Sequence, residues 1–177
     1  HFLFKGASLD NNVCLITNEP PIKVAGSISG FGSYRSNWLK DGYISIFSIR
    51  DLVKMIGVDL ENAGRDDTEL ILDLILQSLD HLDAKRLVID PITPLLSVLE
   101  RNRMTSFLQR LKDGLQKMGV TAFLSLDIIN DLEILEDDVL DLGMFDILIR
   151  FSKEMEQLTT LNTFKIERWR GSPQAMN

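Results

Sequence analysis

Apolar and polar positions follow two rhythms along this chain, and the rhythm changes several times. Short unbroken apolar runs occur at Val13-Cys-Leu-Ile-Thr17, Leu87-Val-Ile-Asp90 and Val120-Thr-Ala-Phe-Leu-Ser125. Runs this short, apolar on both sides of the pleat, predict strands buried on both faces of a parallel sheet. Tyr43–Ile49 alternates instead, which predicts a strand nearer an edge. Between these lie stretches with helical spacing. Leu70, Ile71, Leu74, Ile75 and Leu79 share one face of a helix over Thr68–Leu82, with Thr68 as its N-cap. Met104–Met118 is a second amphipathic helix, closed by Gly119.

The remaining segments are punctuated by glycine and proline. Phe2–Ala7 reads as the tail of a helix, ended by Gly6 and the polar Ser8–Asn12 loop. Asn18-Glu-Pro-Pro21 breaks the first strand and places prolines at the start of a weak, glycine-rich helix from about Ile22 to Phe31. Val53–Asp67 reads as an irregular loop insertion, and Ile128–Gly143 as an acidic, partly helical segment. Phe145–Ile149 and Thr160–Trp169 are the last two strands, with Lys153–Gln157 as a turn between them. Strand–helix–strand alternation with short connections predicts an α/β fold: a mostly parallel sheet flanked by helices. The late strands, which lack an intervening helix, would add antiparallel pairs at the C-terminal edge. The whole of 1–177 is expected to be one domain.

Composition narrows the possible roles. With 45% hydrophobic and 25% charged residues the chain is an ordinary globular sequence rather than a disordered one. Its net charge of −7 argues against a general nucleic-acid binder, which needs surplus Lys and Arg to neutralise phosphates. No apolar run approaches the ~18 residues of a membrane span and no secretory signal is visible, so a cytoplasmic location is expected. Cys14, the single cysteine, sits inside an apolar run and reads as a buried thiol.

Ligands of open α/β sheets sit beyond the carboxyl ends of the strands. Three such ends carry polar groups here: Asn18 and Glu19, Asp90, and Ser125 with Asp127. Asp90 is suited to Mg²⁺ through a water, and Glu19 to orienting or deprotonating a water. Taken alone, each reads more simply as a strand-end acid that caps the next segment or faces solvent. Arg168 and Arg170 lie two apart on a predicted strand, beside Gly171. They are either a paired phosphate grip or the solvated charges of an edge strand.

Other candidates fail on spacing. Gly26-Ser-Ile-Ser-Gly30-Phe-Gly32-Ser33 lacks the lysine and the preceding strand of a phosphate loop, and no Gly-Lys-Ser or Gly-Lys-Thr occurs anywhere. The acidic run Glu133–Asp141 misses the spacing of a calcium-binding loop. His1 and His81 have no supporting ligands for zinc.

Taken in order, the pieces resemble a KaiC-like domain of the RecA superfamily of ATPases, within the phosphate-loop NTPases, over nearly the whole chain. The resemblance is carried by Phe2-Leu-Phe-Lys-Gly6, Val13–Pro21, Ser29-Gly-Phe-Gly32 followed by Leu39-Lys-Asp-Gly-Tyr43, Arg86–Asp90, and Arg168-Trp-Arg-Gly-Ser-Pro173. It implies a RecA-like fold, Mg-ATP as ligand, and a homo-oligomeric ring of about six subunits with nucleotide between neighbours. It also implies that Asp90 is the magnesium-site acid and Glu19 the survivor of a catalytic acid pair. Arg168 and Arg170 would reach the γ-phosphate held by the next subunit, and Ser125 and Asp127 would sense the nucleotide.

The sequence departs from the family pattern in several places. Asn18 replaces the first acid, Arg168 stands where lysine is usual, and Gln174 where histidine is common. The family's phosphate loop would fall just before His1. The expectation is therefore an ATP-binding switch or slow ATPase whose phosphate loop lies upstream, with a non-catalytic RecA-like scaffold as the alternative.

Overall fold

The computed structural model describes residues 1–9, 11–58, 65–97, 99, 101–127, 142–156 and 159–170. Two compact units are distinguished, His1–Val139 and Leu140–Asn177.

The first unit is built on four parallel strands: β1 (Asn12–Thr17), β2 (Ile44–Ser48), β3 (Ala84–Asp90) and β4 (Thr121–Leu124), in the spatial order β2-β1-β3-β4. Around them lie α1 (Phe2–Ala7), α2 (Pro21–Ser29), α3 (Asn37–Lys40), α4 (Ile49–Met55), α5 (Arg65–His81), α6 (Thr93–Leu96) and α7 (Arg101–Met118). The register of β1 on β3 pairs Cys14 with Leu87 and Ile16 with Ile89, and all four are at most 1% exposed. Side chains paired in this way point to one face, where Ile16 meets Ile49, Leu52 and Val53 of α4 and Ile71 and Ile75 of α5. Burial raises the Cys14 thiol pKa to about 12, so it is an inert core group.

On the other face Val13 packs with Phe4 and Ala7 of α1, Trp38 and Ile44. Phe4 stands 5.9–6.0 Å, centroid to centroid, from Phe31, Tyr34 and Trp38. Arg86 ties α1 down from β3: its Nη1 donates to the Phe2 carbonyl at 2.6 Å and its guanidinium lies 4.8 Å from the Phe2 ring centroid.

The α/β class and the parallel sheet match the expectation from sequence; several local features differ. The segment read as an insertion, Val53–Asp67, begins in the last turn of a helix, α4, which opens at Ile49, and its final residues Arg65–Asp67 belong to α5. In α4, Ile49, Leu52 and Val53 have the spacing of one buried helical face. Helix α5 starts at Arg65, so Thr68 lies inside it and is buried rather than capping it. Its buried side is Ile71, Leu72, Ile75 and Leu79, while Leu70 is 47% exposed. The face is turned by one residue from the expected one, since adjacent leucines and isoleucines fit two faces equally well. A further short helix, α6, precedes α7. Met104, Phe107, Leu108, Leu111 and Leu115 form the buried stripe of α7. Gly119, at φ +67, ends it as expected, with the Val120 N–H donating to the Leu115 carbonyl. Strand β4 was expected to be buried; among the described residues it is one of the two outer strands of the sheet, with Thr121, Ala122 and Phe123 exposed. An apolar run does not distinguish a central strand from an edge strand.

In the second unit a 3₁₀ turn, Leu142–Met144, leads into β5 (Ile147–Glu156) and β6 (Thr159–Trp169). These pair antiparallel with each other as a sheet of their own. Lys153–Glu156, expected in a turn, continue β5, because the cross-strand ladder to Asn162–Thr159 extends that far. The remainder of the acidic segment, 128–141, lies outside the described residues.

Two glycines test the packing. A Cβ on Gly6 would lie 2.5 Å from Val13 Cγ1 and 2.8 Å from Arg86 Cδ, whereas one on Gly26 in α2 would meet nothing within 4 Å. Val13 is a buried β-branched residue on a central strand and has little room to yield. Gly6→Ala is therefore expected to cost about 1–3 kcal/mol of overpacking, outweighing the ~1 kcal/mol gain in helix propensity. Gly26→Ala should keep that gain and stabilise by up to ~1 kcal/mol. Urea unfolding of the two variants should move the midpoint in opposite directions.

Candidate functional site

Parallel strands all end at one edge, and the turns that leave them line a common crevice. Register places Thr17 beside both Ser48 and Asp90, and Ile89 beside Leu124. The turns after β1, β3 and β4 consequently bring Glu19, Asp90 and Ser125 to the same edge of the sheet.

Each is held differently. The Thr17 hydroxyl, buried at the end of β1, accepts the Glu19 N–H at 3.3 Å and so shapes the turn. The Glu19 carboxylate is exposed and pairs with Lys23, one turn on in α2, at 2.5 Å. With both partners more than half exposed, this pair adds little stability, but it gives the Glu19 side chain a direction. Asn18, the preceding residue, brings an amide rather than an acid to the same turn.

Asp90 is the last residue of β3 and is exposed. The Ser125 hydroxyl donates to its Oδ1. Three further bonds fasten the surrounding chain. The Ser125 N–H donates to the Ile89 carbonyl at 3.0 Å, and the Ile92 N–H to the Ser125 carbonyl at 2.8 Å. The Asp127 N–H donates to Thr93 Oγ1 at 3.0 Å. Residues 89–93 and 125–127 are thus stitched together across the end of the sheet. Asp127 takes part through its main chain, and its side chain is exposed.

The donor set bears on which cation would fit. Among the described residues no group of three or more His, Cys, Asp or Glu side chains could hold a metal ion. Magnesium keeps much of its water and commonly takes one or two carboxylates together with substrate phosphates. Asp90 fits that role; the residues do not form a cage that would hold a metal by protein alone. The Gly26–Ser33 stretch forms the second half of α2 and its exit, as its sequence suggested, with Gly30 as the C-cap.

Arg168 and Arg170 belong to the second unit. Arg168, on β6 opposite Leu148, is half-buried. Arg170 lies one residue beyond the end of β6. Its main chain stays opposite Asp146, with its N–H donating to the Asp146 carbonyl at 2.7 Å, and its guanidinium reaches the Gly143 carbonyl at 2.8 Å and Asp146 Oδ1 at 3.3 Å. Gly171, Ser172 and Pro173 lie outside the described residues.

A family model described as "ATPase: KaiC" matches residues 1–177. The chain belongs to the KaiC family of ATPases. Among solved structures it is similar to a KaiC-like protein from the hyperthermophilic archaeon Pyrococcus horikoshii OT3. The TM-score is 0.68 and the identity 21%, covering 99% of this chain and 75% of that one. At that identity the likeness speaks for the fold, which is RecA-like. No curated protein sequence matches. No helix among the described residues is long and apolar enough to cross a membrane.

In this KaiC-family chain the residues that sequence reasoning passed over are Thr17, Lys23 and Thr93. Lys23 was legible as a basic residue four after Glu19 at a helix start. Thr17 and Thr93 were hidden, one within an apolar run and the other in a short helix with no periodic signal. Thr93 is the more consequential, because its buried hydroxyl receives the Asp127 amide. Replacing it with the near-isosteric valine is expected to cost about 1–3 kcal/mol by leaving that donor unmatched. Hydrogen exchange should locate the effect: the Asp127 amide loses protection, while Ser125 and Ile92, bonded main chain to main chain, keep theirs.

Proposed function

We propose that this chain is a Mg-ATP-binding domain of KaiC type, acting as a nucleotide switch or slow ATPase within a cytoplasmic homo-oligomeric ring. The reading takes residues 1–177 as one RecA/KaiC-like domain. The observation that carries it is the exposed Asp90 carboxylate at the end of β3, bonded to Ser125 and flanked by the turn that bears Glu19. A carboxylate in that position suits the outer waters of a magnesium ion held mainly by phosphate oxygens. When bound, magnesium supplies charge that offsets the negative oxygens of the nucleotide.

The chain's own residues take the remaining roles. Asp90 orients a water of the ion's shell. Glu19 receives a proton from, or orients, a water directed at the terminal phosphate, with Lys23 setting the resting position of its carboxylate. Ser125 and Asp127 sit where a change in nucleotide state would be felt. Arg168 and Arg170 serve a nucleotide held by a neighbouring subunit. The Arg170–Asp146 pair, with both partners at least half exposed, is weak enough to exchange for a phosphate. A net charge of −7 supports a protein rather than a nucleic-acid partner.

One observation favours a second reading, a non-catalytic RecA-like assembly subunit: Asn18 stands in place of one acid.

Calorimetric titration of Mg-ATP into the full-length gene product separates the two. Saturable binding is expected, weakened at least ~10-fold by Asp90→Asn. A wild-type protein that binds no Mg-ATP would overturn the first reading. If it also forms oligomers whose size is indifferent to ATP, the scaffold reading is supported.

A further inference from the structure

We infer that Ser125 is a positioning residue for Asp90: its hydroxyl fixes one carboxylate oxygen and leaves the other to accept a coordinated water. The inference rests on the Mg-nucleotide reading above and assigns Ser125 a role distinct from sensing the nucleotide.

Asp90 is exposed, and an exposed aspartate at a strand end samples several χ1 and χ2 rotamers. Ordering it on each binding event would cost affinity. The Ser125 hydroxyl removes that freedom by donating to Oδ1. A bond between a hydroxyl and an ionised carboxylate is among the stronger kinds available to a side chain. It is useful only if the hydroxyl itself is fixed, and the main chain around Ser125 is fastened on both sides. Its N–H donates to the Ile89 carbonyl at 3.0 Å and its carbonyl accepts the Ile92 N–H at 2.8 Å. Two residues on, Asp127 is anchored to Thr93. The two partners therefore belong to chain segments that brace each other immediately before and after Asp90. The bond engages Oδ1 only, and a carboxylate retains a second oxygen with lone pairs to accept a coordinated water. Partners that orient a metal-site ligand in this way are commonly worth 10–100-fold in metal affinity.

The test uses the full-length gene product and Mn²⁺, which electron paramagnetic resonance can follow in place of Mg²⁺. Mn²⁺ is titrated at saturating ATP, and ATP is separately titrated in EDTA. For Ser125→Ala the inference requires about tenfold more Mn²⁺ for half-saturation, with no change in the metal-free titration. Ser125→Thr, which retains the hydroxyl, should restore the wild-type value. Wild-type Mn²⁺ affinity in Ser125→Ala overturns the positioning role and leaves the Mg-nucleotide reading intact. Equal losses in Ser125→Ala and Ser125→Thr, or a parallel loss in EDTA, also overturn it, since packing and not the hydroxyl would then be at work. If wild-type protein shows no metal-dependent ATP binding, both the reading and the inference fall.

Discussion

The parallel pairing of β1 with β3 is the constraint on which the first unit depends. Five consecutive residues of each strand lie in register, from Val13 opposite Arg86 to Thr17 opposite Asp90. At the centre of the pairing, Cys14, Ile16, Leu87 and Ile89 are withdrawn from water and give α4 and α5 an apolar surface to cover. Burying each such side chain contributes roughly 1.5–3 kcal/mol relative to leaving it exposed. Because a one-residue slip of a strand turns every side chain to the opposite face, this burial also fixes the register. Register in turn decides which groups meet beyond the strand ends. Packing of the core and alignment of Thr17 with Asp90 are thus one event.

The edge beyond those strand ends is organised by hydrogen bonds instead of burial. Thr17 holds the turn that carries Glu19, Thr93 holds Asp127, and Ser125 holds Asp90, each through a hydroxyl. Hydroxyl groups suit such a place: they satisfy a neighbouring polar group without introducing charge. The result is an acidic edge whose side chains are directed but still accessible. That combination is what a hydrated cation with its own phosphate ligands requires. The second unit follows a different logic. Arg170 is drawn onto Asp146 and Gly143 by bonds within the unit, and the strand ladder ends one residue before it.

Much of this was legible in the residues. Short apolar runs gave the strands, because only a strand buries so few consecutive residues on both faces. Gly119 marked the end of α7 because φ +67 is costly for any residue with a Cβ. The C-terminal strand ends gave Glu19, Asp90 and Ser125 as neighbours, because all parallel strands finish at the same edge. Family membership was legible for a related reason: the order of the pieces, more than any single motif, carried it. The failures were equally physical. In α5, neighbouring apolar residues left two helix faces nearly equivalent, and only packing against α7, β3 and α4 selected Ile71 and Leu72 over Leu70. In β4, composition described a buried strand, whereas among the described residues Thr121, Ala122 and Phe123 of this outer strand are exposed.

The sequence by itself determined the parallel α/β layout and the acids available at the strand ends. These are properties of periodicity and residue type, which act locally along the chain. Tertiary structure decided which hydroxyl serves which acid, which face of α5 is buried, and that Arg170 bonds to Asp146 and Gly143. Those outcomes join residues as far apart as Asp90 and Ser125, whose meeting depends on the register of β3 against β4. No local pattern encodes that register; it is settled only when the strands close on a common core.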